Sequence, residues 1–156
     1  MPDADDALVR LLPRTGQAIG HRVRRTLAVH GLTPTSVAVL QALAAGGPTS
    51  HRDLAARLGV VPGTLTPVID ALERAGSATR VRDTVDRRVV RVSVNRVGQD
   101  RLTAATTDVA RDLVGCLPQP TPEHGVIVRR YLMSVLAALR APDPDALVDP
   151  PCEPGP

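Results

Sequence analysis

One tyrosine is the whole aromatic inventory of this 156-residue sequence, which has no phenylalanine and no tryptophan. A core built from it must be aliphatic, and a base-stacking surface for single-stranded nucleic acid is excluded. Lysine is missing too, so all 19 cationic side chains are arginine. The two cysteines, Cys116 and Cys152, have neither metal-ligand nor C-x-x-C spacing, so no metal and no cofactor is expected. There is no signal-peptide pattern and no apolar run of membrane-spanning length. The expectation is therefore a cytoplasmic protein in a reducing compartment, with no membrane partner. There is no Ser/His/Asp or Cys/His constellation and no phosphate-binding glycine loop, and four scattered histidines do not make a catalytic site. An enzyme is not expected.

What is present suits one soluble globular unit: 43% hydrophobic and 22% charged residues. The formal charge of +3 is unevenly spread. Residues 31–50 carry no charge, whereas residues 51–96 carry nine Arg against five acids. Residues 97–156 reverse the balance, with five Arg against eight acids. The positive middle is where nucleic acid would be met.

Residues 4–29 read as a helix with an apolar stripe from Leu8 to Leu27, which Pro13, Gly16 and Gly20 are expected to bend or split. A second helix opens with Thr33 as N-cap and Pro34 at N1, and closes at Gly46 and Gly47. A short third helix, capped by Thr49 or Ser50, ends at Gly59. A fourth follows within two or three residues, which is helix-turn-helix spacing. Its buried face is Leu65, Val68, Ile69 and Leu72. Two β-branched runs around Val81 and Val90–Val94, broken by charges at Asp83 to Arg87, read as a hairpin. Asn95 can cap a helix running to about Leu117, and Thr121 a last helix over residues 122–140.

The fold class expected is mainly α with a small β-hairpin wing: a winged helix-turn-helix core flanked by dimerisation helices. Residues 33–94 form the DNA-binding lobe and residues 4–32 with 95–140 the helical dimerisation region. Residues 141–156 are a disordered Pro-rich tail. The outer helices carry more apolar surface than the small core can cover, which points to a homodimer.

The stretches "GLTPTSVAVLQAL", "LAARLGVVPGTLTPVIDALERAG" and "DTVDRRVVRVSVNRVGQDRL" resemble the MarR (multiple antibiotic resistance regulator) family of bacterial transcription factors. The resemblance covers about residues 8–140. Asp86-Arg87-Arg88 matches the family's wing pattern, and Asn95 and Gly98 stand where the family starts its next helix. The resemblance implies a dimer on pseudo-palindromic duplex DNA, with the fourth helix in the major groove and a wing Arg in the minor groove. It also implies a small-molecule effector in a cleft between the dimer helices and the DNA lobe. Most members have Arg at position 67 and often at 71, where this chain has Pro67 and Ala71. "GTLTP" looks instead like the organic-hydroperoxide regulator branch, whose sensor cysteine on the first helix this chain lacks.

Candidate DNA contacts follow from where recognition helices read DNA. Thr64 and Thr66 can bond a base edge or a phosphate. Pro62, Gly63, Pro67 and Arg74 share their outer arc. Thr49, Ser50, His51 and Arg57 are candidate phosphate contacts on the preceding helix. Arg80, Arg82, Arg87 and Arg88 are candidates on the wing, with Arg88 in the minor groove and Asp86 orienting the wing by pairing with Arg80 or Arg88. His21, Arg22 and His30 are polar handles for an otherwise aliphatic effector pocket. Cys116 is expected to be a buried, inert thiol. Pro67 leaves the start of its helix open, at Pro62 with a distorted first turn, the favoured choice, or at Thr64. In the first case Gly63 would absorb the proline's clash. The missing Arg at 67 and 71 supports a second reading, a winged-helix protein-interaction module that has lost sequence-specific DNA binding.

Overall fold

The computed structural model describes residues 3–83 and 90–140, with side chains from Leu8 onward. The chain divides after Cys116 into two units.

The first unit opens with α1 (Asp3–Val29), one uninterrupted helix. Of the expected bend or split, the split does not occur at Pro13, Gly16 or Gly20. Proline removes one bond, to the carbonyl of Val9. Val9 and Pro13 are both exposed, so water can take that carbonyl. The last turn closes at Gly31, and α2 (Pro34–Gly46) follows, capped by Thr33 as expected. Thr33 Oγ1 accepts from the Ser36 N–H at 3.1 Å, while Ser36 Oγ accepts from the Thr33 N–H at 2.7 Å. This is a capping box with serine in the place of the usual Glu or Gln.

Thr49–Ser50 form a short strand, β1, which the sequence reading missed. Two residues carry too little alternation to register as a strand, and both were read as helix caps. Ser50 is also the cap of α3 (His51–Leu58), which ends at Gly59 in the left-handed conformation. The recognition-helix candidate α4 (Pro62–Arg74) follows. Strands β2 (Ala78–Arg82) and β3 (Val90–Val94) pair antiparallel, Ala78 opposite Val94 through Arg82 opposite Val90. β1 adds to the other edge of β3, with Thr49 opposite Val92, so the sheet has three strands in the order β1-β3-β2 and not two. The hairpin tip, with Asp86, Arg87 and Arg88, lies outside the described residues, as do Cys152 and the tail at 141–156.

Helix α5 (Arg96–Cys116) completes the unit. The core is aliphatic, as the composition requires: Val39, Leu40 and Leu43 of α2, Leu54 of α3, and Leu65 and Ile69 of α4 are all nearly inaccessible. Asn95 caps α5 by accepting from the Gly98 N–H at 2.9 Å. Gly98 sits against the chain at Ser77, and a Cβ there would lie 2.0 Å from the Ser77 carbonyl oxygen. α1 is fastened to α5 by Arg22, which donates from Nε and Nη2 to the two carboxylate oxygens of Asp112, each at 2.7 Å. That hydrogen-bonded pairing holds the Asp112 carboxyl below its ordinary pKa. The second unit contains α6 (Pro122–Arg140), with Thr121 accepting from the His124 N–H at 3.4 Å and no residue of the helix buried.

Two stability predictions follow from these contacts. Gly98→Ala forces backbone apart at the Ser77 corner and should cost about 1–3 kcal/mol, read as a lower urea midpoint; an unchanged midpoint would show that the corner can open freely. Asp112→Asn should lower stability at neutral pH. A carboxylate whose folded pKa is depressed stabilises only while ionised. The gap to wild type should therefore close as pH falls below the ordinary carboxylate range, and a gap that persists in strong acid would refute the ion pair.

Candidate nucleic-acid interface

The presentation of α4 is set by its buried face. Leu65, Ile69 and Leu72 are buried and Val68 packs beside them, which turns Gly63, Thr64, Thr66, Pro67, Ala71 and Arg74 to solvent. The helix starts at Pro62, as favoured above. Its N-cap, Val61, is extended and offers no side-chain acceptor. Thr64 is a helical residue and not a cap, its N–H turning to the Val61 carbonyl at 2.9 Å. Pro67 sits inside the helix, and the carbonyl it leaves without a partner is that of Gly63, on the exposed side. The expected role of Gly63 in absorbing the clash is not needed. Its φ is not positive, and a Cβ there would meet nothing within 4 Å.

The candidates before α4 are taken up by structural contacts. Thr49 is 5% exposed and donates its hydroxyl to the Gly47 carbonyl at 2.8 Å, which leaves it no route to a phosphate. Ser50 Oγ accepts from the Asp53 N–H and donates to the Asp53 carboxylate at 2.6 Å, so the amino end of α3 already holds an anion. His51 is half-buried, with its Nε2 enclosed and unpartnered among the described residues. Arg57 donates to the Ala42 carbonyl at 3.0 Å and lies over Gly46, closing the end of α2. Polarity and position single out these four in the sequence, which does not show which polar groups the turn itself consumes.

On the sheet, Arg82 is exposed with no acidic partner among the described residues, and the same holds for Arg74 at the end of α4. Arg80 is engaged. Its Nη2 donates to Asp70 Oδ1 at 2.5 Å and its Nη1 to Glu73 Oε2 at 2.6 Å. Its partners are thus the acids of α4, where pairing with Asp86 was one expectation. Bonding to Asp70 raises the guanidinium pKa further above its already high value. Arg91 of β3 bonds Asp83 at the base of the wing.

Among the described residues, cavities open on α1 and on α4. The first, of about 440 Å³, is lined by Arg22, Arg25, Thr26, Val29 and Asp112. Arg22 is one of these residues, and Val29 is joined by charged and polar side chains where aliphatics were expected. The second, of about 240 Å³, lies along one flank of α4, at Pro67, Val68, Ala71, Leu72 and Ala75, and reaches Thr33, Ser36 and Arg101. His21 is exposed and lines neither cavity, and His30 instead pairs with Asp108 at 3.0 Å. Arg101, which the sequence reading missed, donates to the His30 carbonyl at 2.6 Å and to Ser77 Oγ at 3.1 Å. Cys116 is exposed at the last residue of α5, and not buried as expected, because every residue from Val114 to the end of the helix is exposed.

The MarR family model matches residues 32–90. The uncharacterised HTH-type transcriptional regulator YkoM of Bacillus subtilis (strain 168) is 35% identical over 127 residues, covering 79% of this chain and 82% of that protein. Among solved structures, the YusO protein of Bacillus subtilis superposes with a TM-score of 0.75 at 23% identity, over 87% of this chain and 99% of that one. The transcriptional repressor CouR, solved on a 23-mer DNA duplex, gives a TM-score of 0.71 at 27% identity, over 89% and 96%. The order of helices, the three-stranded wing sheet and these likenesses agree: the chain belongs to the MarR family of winged helix-turn-helix transcriptional regulators and is not an enzyme.

Proposed function

We propose that this regulator is a homodimeric repressor of a pseudo-palindromic operator, with α4 in the major groove and a wing arginine in the minor groove. The observation that carries this is the solvent-facing surface of α4. Thr64, Thr66 and Arg74 stand exposed on a helix whose opposite face is locked into the core, beside a sheet that leads into Arg87 and Arg88. That is the arrangement with which helix-turn-helix proteins read bases and a wing tracks the backbone. CouR, the relative solved on duplex DNA, is itself described as a transcriptional repressor. Residues 33–94 serve as the DNA lobe, and residues 4–32 with 95–140 hold the dimer. No single helix among the described residues is long and apolar enough to cross a membrane. The protein works in the cytoplasm, where its DNA is.

The dimer is supported by uncovered apolar surface. Val126, Ile127, Leu132, Met133, Leu136 and Leu139 of α6 are all exposed, Leu139 by 78%, and Leu8, Val9 and Leu11 of α1 are exposed too. A second copy covers such faces at no cost in soluble surface. The effector's place is the cavity along the flank of α4, because a molecule there would press on Pro67 and Ala71 while meeting the Arg101 cation.

A duplex enriched by the protein from a random-sequence pool tests DNA reading. Thr66→Ala should lower affinity for the enriched duplex more than for unselected DNA; equal loss on both would remove Thr66 from base readout. Arg88→Ala should weaken both and reduce the slope of log affinity against log salt by about one. If the pool yields no enriched duplex, the winged helix serves as a protein-interaction module instead.

The dimer is tested by sedimentation. Wild type should run at twice the chain mass, and Leu132→Arg with Leu136→Arg should give a monomer that binds the enriched duplex about a hundredfold more weakly. A monomeric wild type with full affinity would dispose of the dimer.

A further inference from the structure

The recognition helix carries its own obstacle to DNA. Thr66, Asp70 and Arg74 fall four residues apart on α4, so they form one row on its surface. Asp70 therefore sits one turn from Thr66, the residue placed above at the bases. Glu73 adds a second carboxylate on the neighbouring turn. With Arg74 alone to offset them, the described side chains of α4 sum to −1. A helix entering a groove between two phosphate backbones is poorly served by uncovered carboxylates.

Arg80 reaches both. It lies on β2 directly opposite Val92 of β3, and Val92 is buried. Residues opposite each other in an antiparallel pair share a face. Arg80 is thus an arginine on the core-facing side of the sheet, in line with Ala78, which is also buried. Its side chain passes the end of the core and meets the two acids of α4, one on each terminal nitrogen, at 2.5 and 2.6 Å. The three side chains are 38–44% exposed, so the cluster lies open to whatever α4 approaches.

We propose that Arg80 assists DNA binding without touching DNA, as a charge mask that cancels Asp70 and Glu73 on the recognition helix. This rests on the DNA-binding reading above. It also gives a job to an arginine that sequence alone counts as one more phosphate contact. The mask is a positioning residue: its effect passes through the two carboxylates, so removing those carboxylates should make it dispensable.

The test uses full-length protein and the duplex enriched from a random pool by wild type, with affinity measured across a salt series. Arg80→Met keeps the aliphatic stem and uncovers the acids; it should weaken binding at least about tenfold. The triple variant Arg80→Met, Asp70→Asn, Glu73→Gln should return to within about threefold of wild type, with the wild-type salt slope. A triple variant as weak as Arg80→Met, with a slope shallower by about one, would show that Arg80 holds a phosphate itself and would overturn the mask. Wild-type affinity in Arg80→Met alone would overturn it as well. If Arg80→Met does not fold, Asp70→Asn in the otherwise native chain decides. A masked carboxylate predicts less than about threefold change, whereas a loss of about tenfold would mean that Asp70 contacts DNA. Failure of wild type to enrich any duplex would remove the DNA reading and this inference together; any of the other adverse results removes the mask alone.

Discussion

Ser77 is wholly buried, and each of its polar groups has a partner. Its N–H closes the end of α4 on the Leu72 carbonyl at 2.8 Å, its hydroxyl accepts from Arg101 of α5, and its carbonyl accepts from the Asn95 N–H. Gly98 lies against the same carbonyl so closely that no other residue fits. One corner therefore joins the last turn of the recognition helix, the first residue of the wing sheet and the first turn of α5. Asn95 tightens it by donating its side-chain amide to the Gly76 carbonyl at 2.8 Å while capping α5. An unpaired polar group here would cost on the order of 1–3 kcal/mol. That is reason enough for the corner to behave as one rigid piece.

Arg101 extends the corner to α1. Its guanidinium crosses to the His30 carbonyl and lies where any side chain at Gly31 would have to go. Gly31 itself adopts φ 61°, a conformation that disfavours other residues. The end of α1, the start of α5 and the end of α4 thus share one cation. The cavity on the flank of α4 is bounded by that cation and by Pro67. Pro67 stiffens the helix wall at this cavity, on the turn that follows Thr64 and precedes Asp70.

Much of this was legible in the sequence where local chemistry decides. Thr33 with Pro34, Gly59, Asn95 and Thr121 mark helix ends because capping depends on residues only a few positions apart. The buried face of α4 followed from spacing alone. What escaped has a common cause, long separation in the chain. Arg101 meets His30 across 71 residues, Arg22 meets Asp112 across 90, and β1 becomes a strand only because β3 lies beside it. Pro13 escaped for a different reason: the cost of the bond it removes depends on whether water can replace it, and exposure is a tertiary property.

The arginines show the same limit in sharper form. Nine of them fall in residues 51–96, and as a count they describe a basic DNA-binding surface. In the folded chain Arg57 closes α2, Arg80 bridges two acids and Arg91 pairs with Asp83. Each of these engages one or more fixed acceptors, and Arg80 and Arg101 each engage two. A planar fork with five donors can satisfy such pairs at once, which a lysine ammonium does less well. A chain without lysine therefore uses one residue type for two jobs, and sequence cannot separate them. Among the described residues, Arg52, Arg74 and Arg82 are the exposed cations of this segment with neither an acid nor a carbonyl as partner. The net charge of the segment therefore overstates its free cations, because Arg57, Arg80 and Arg91 are bound to fixed acids or carbonyls and serve the fold first.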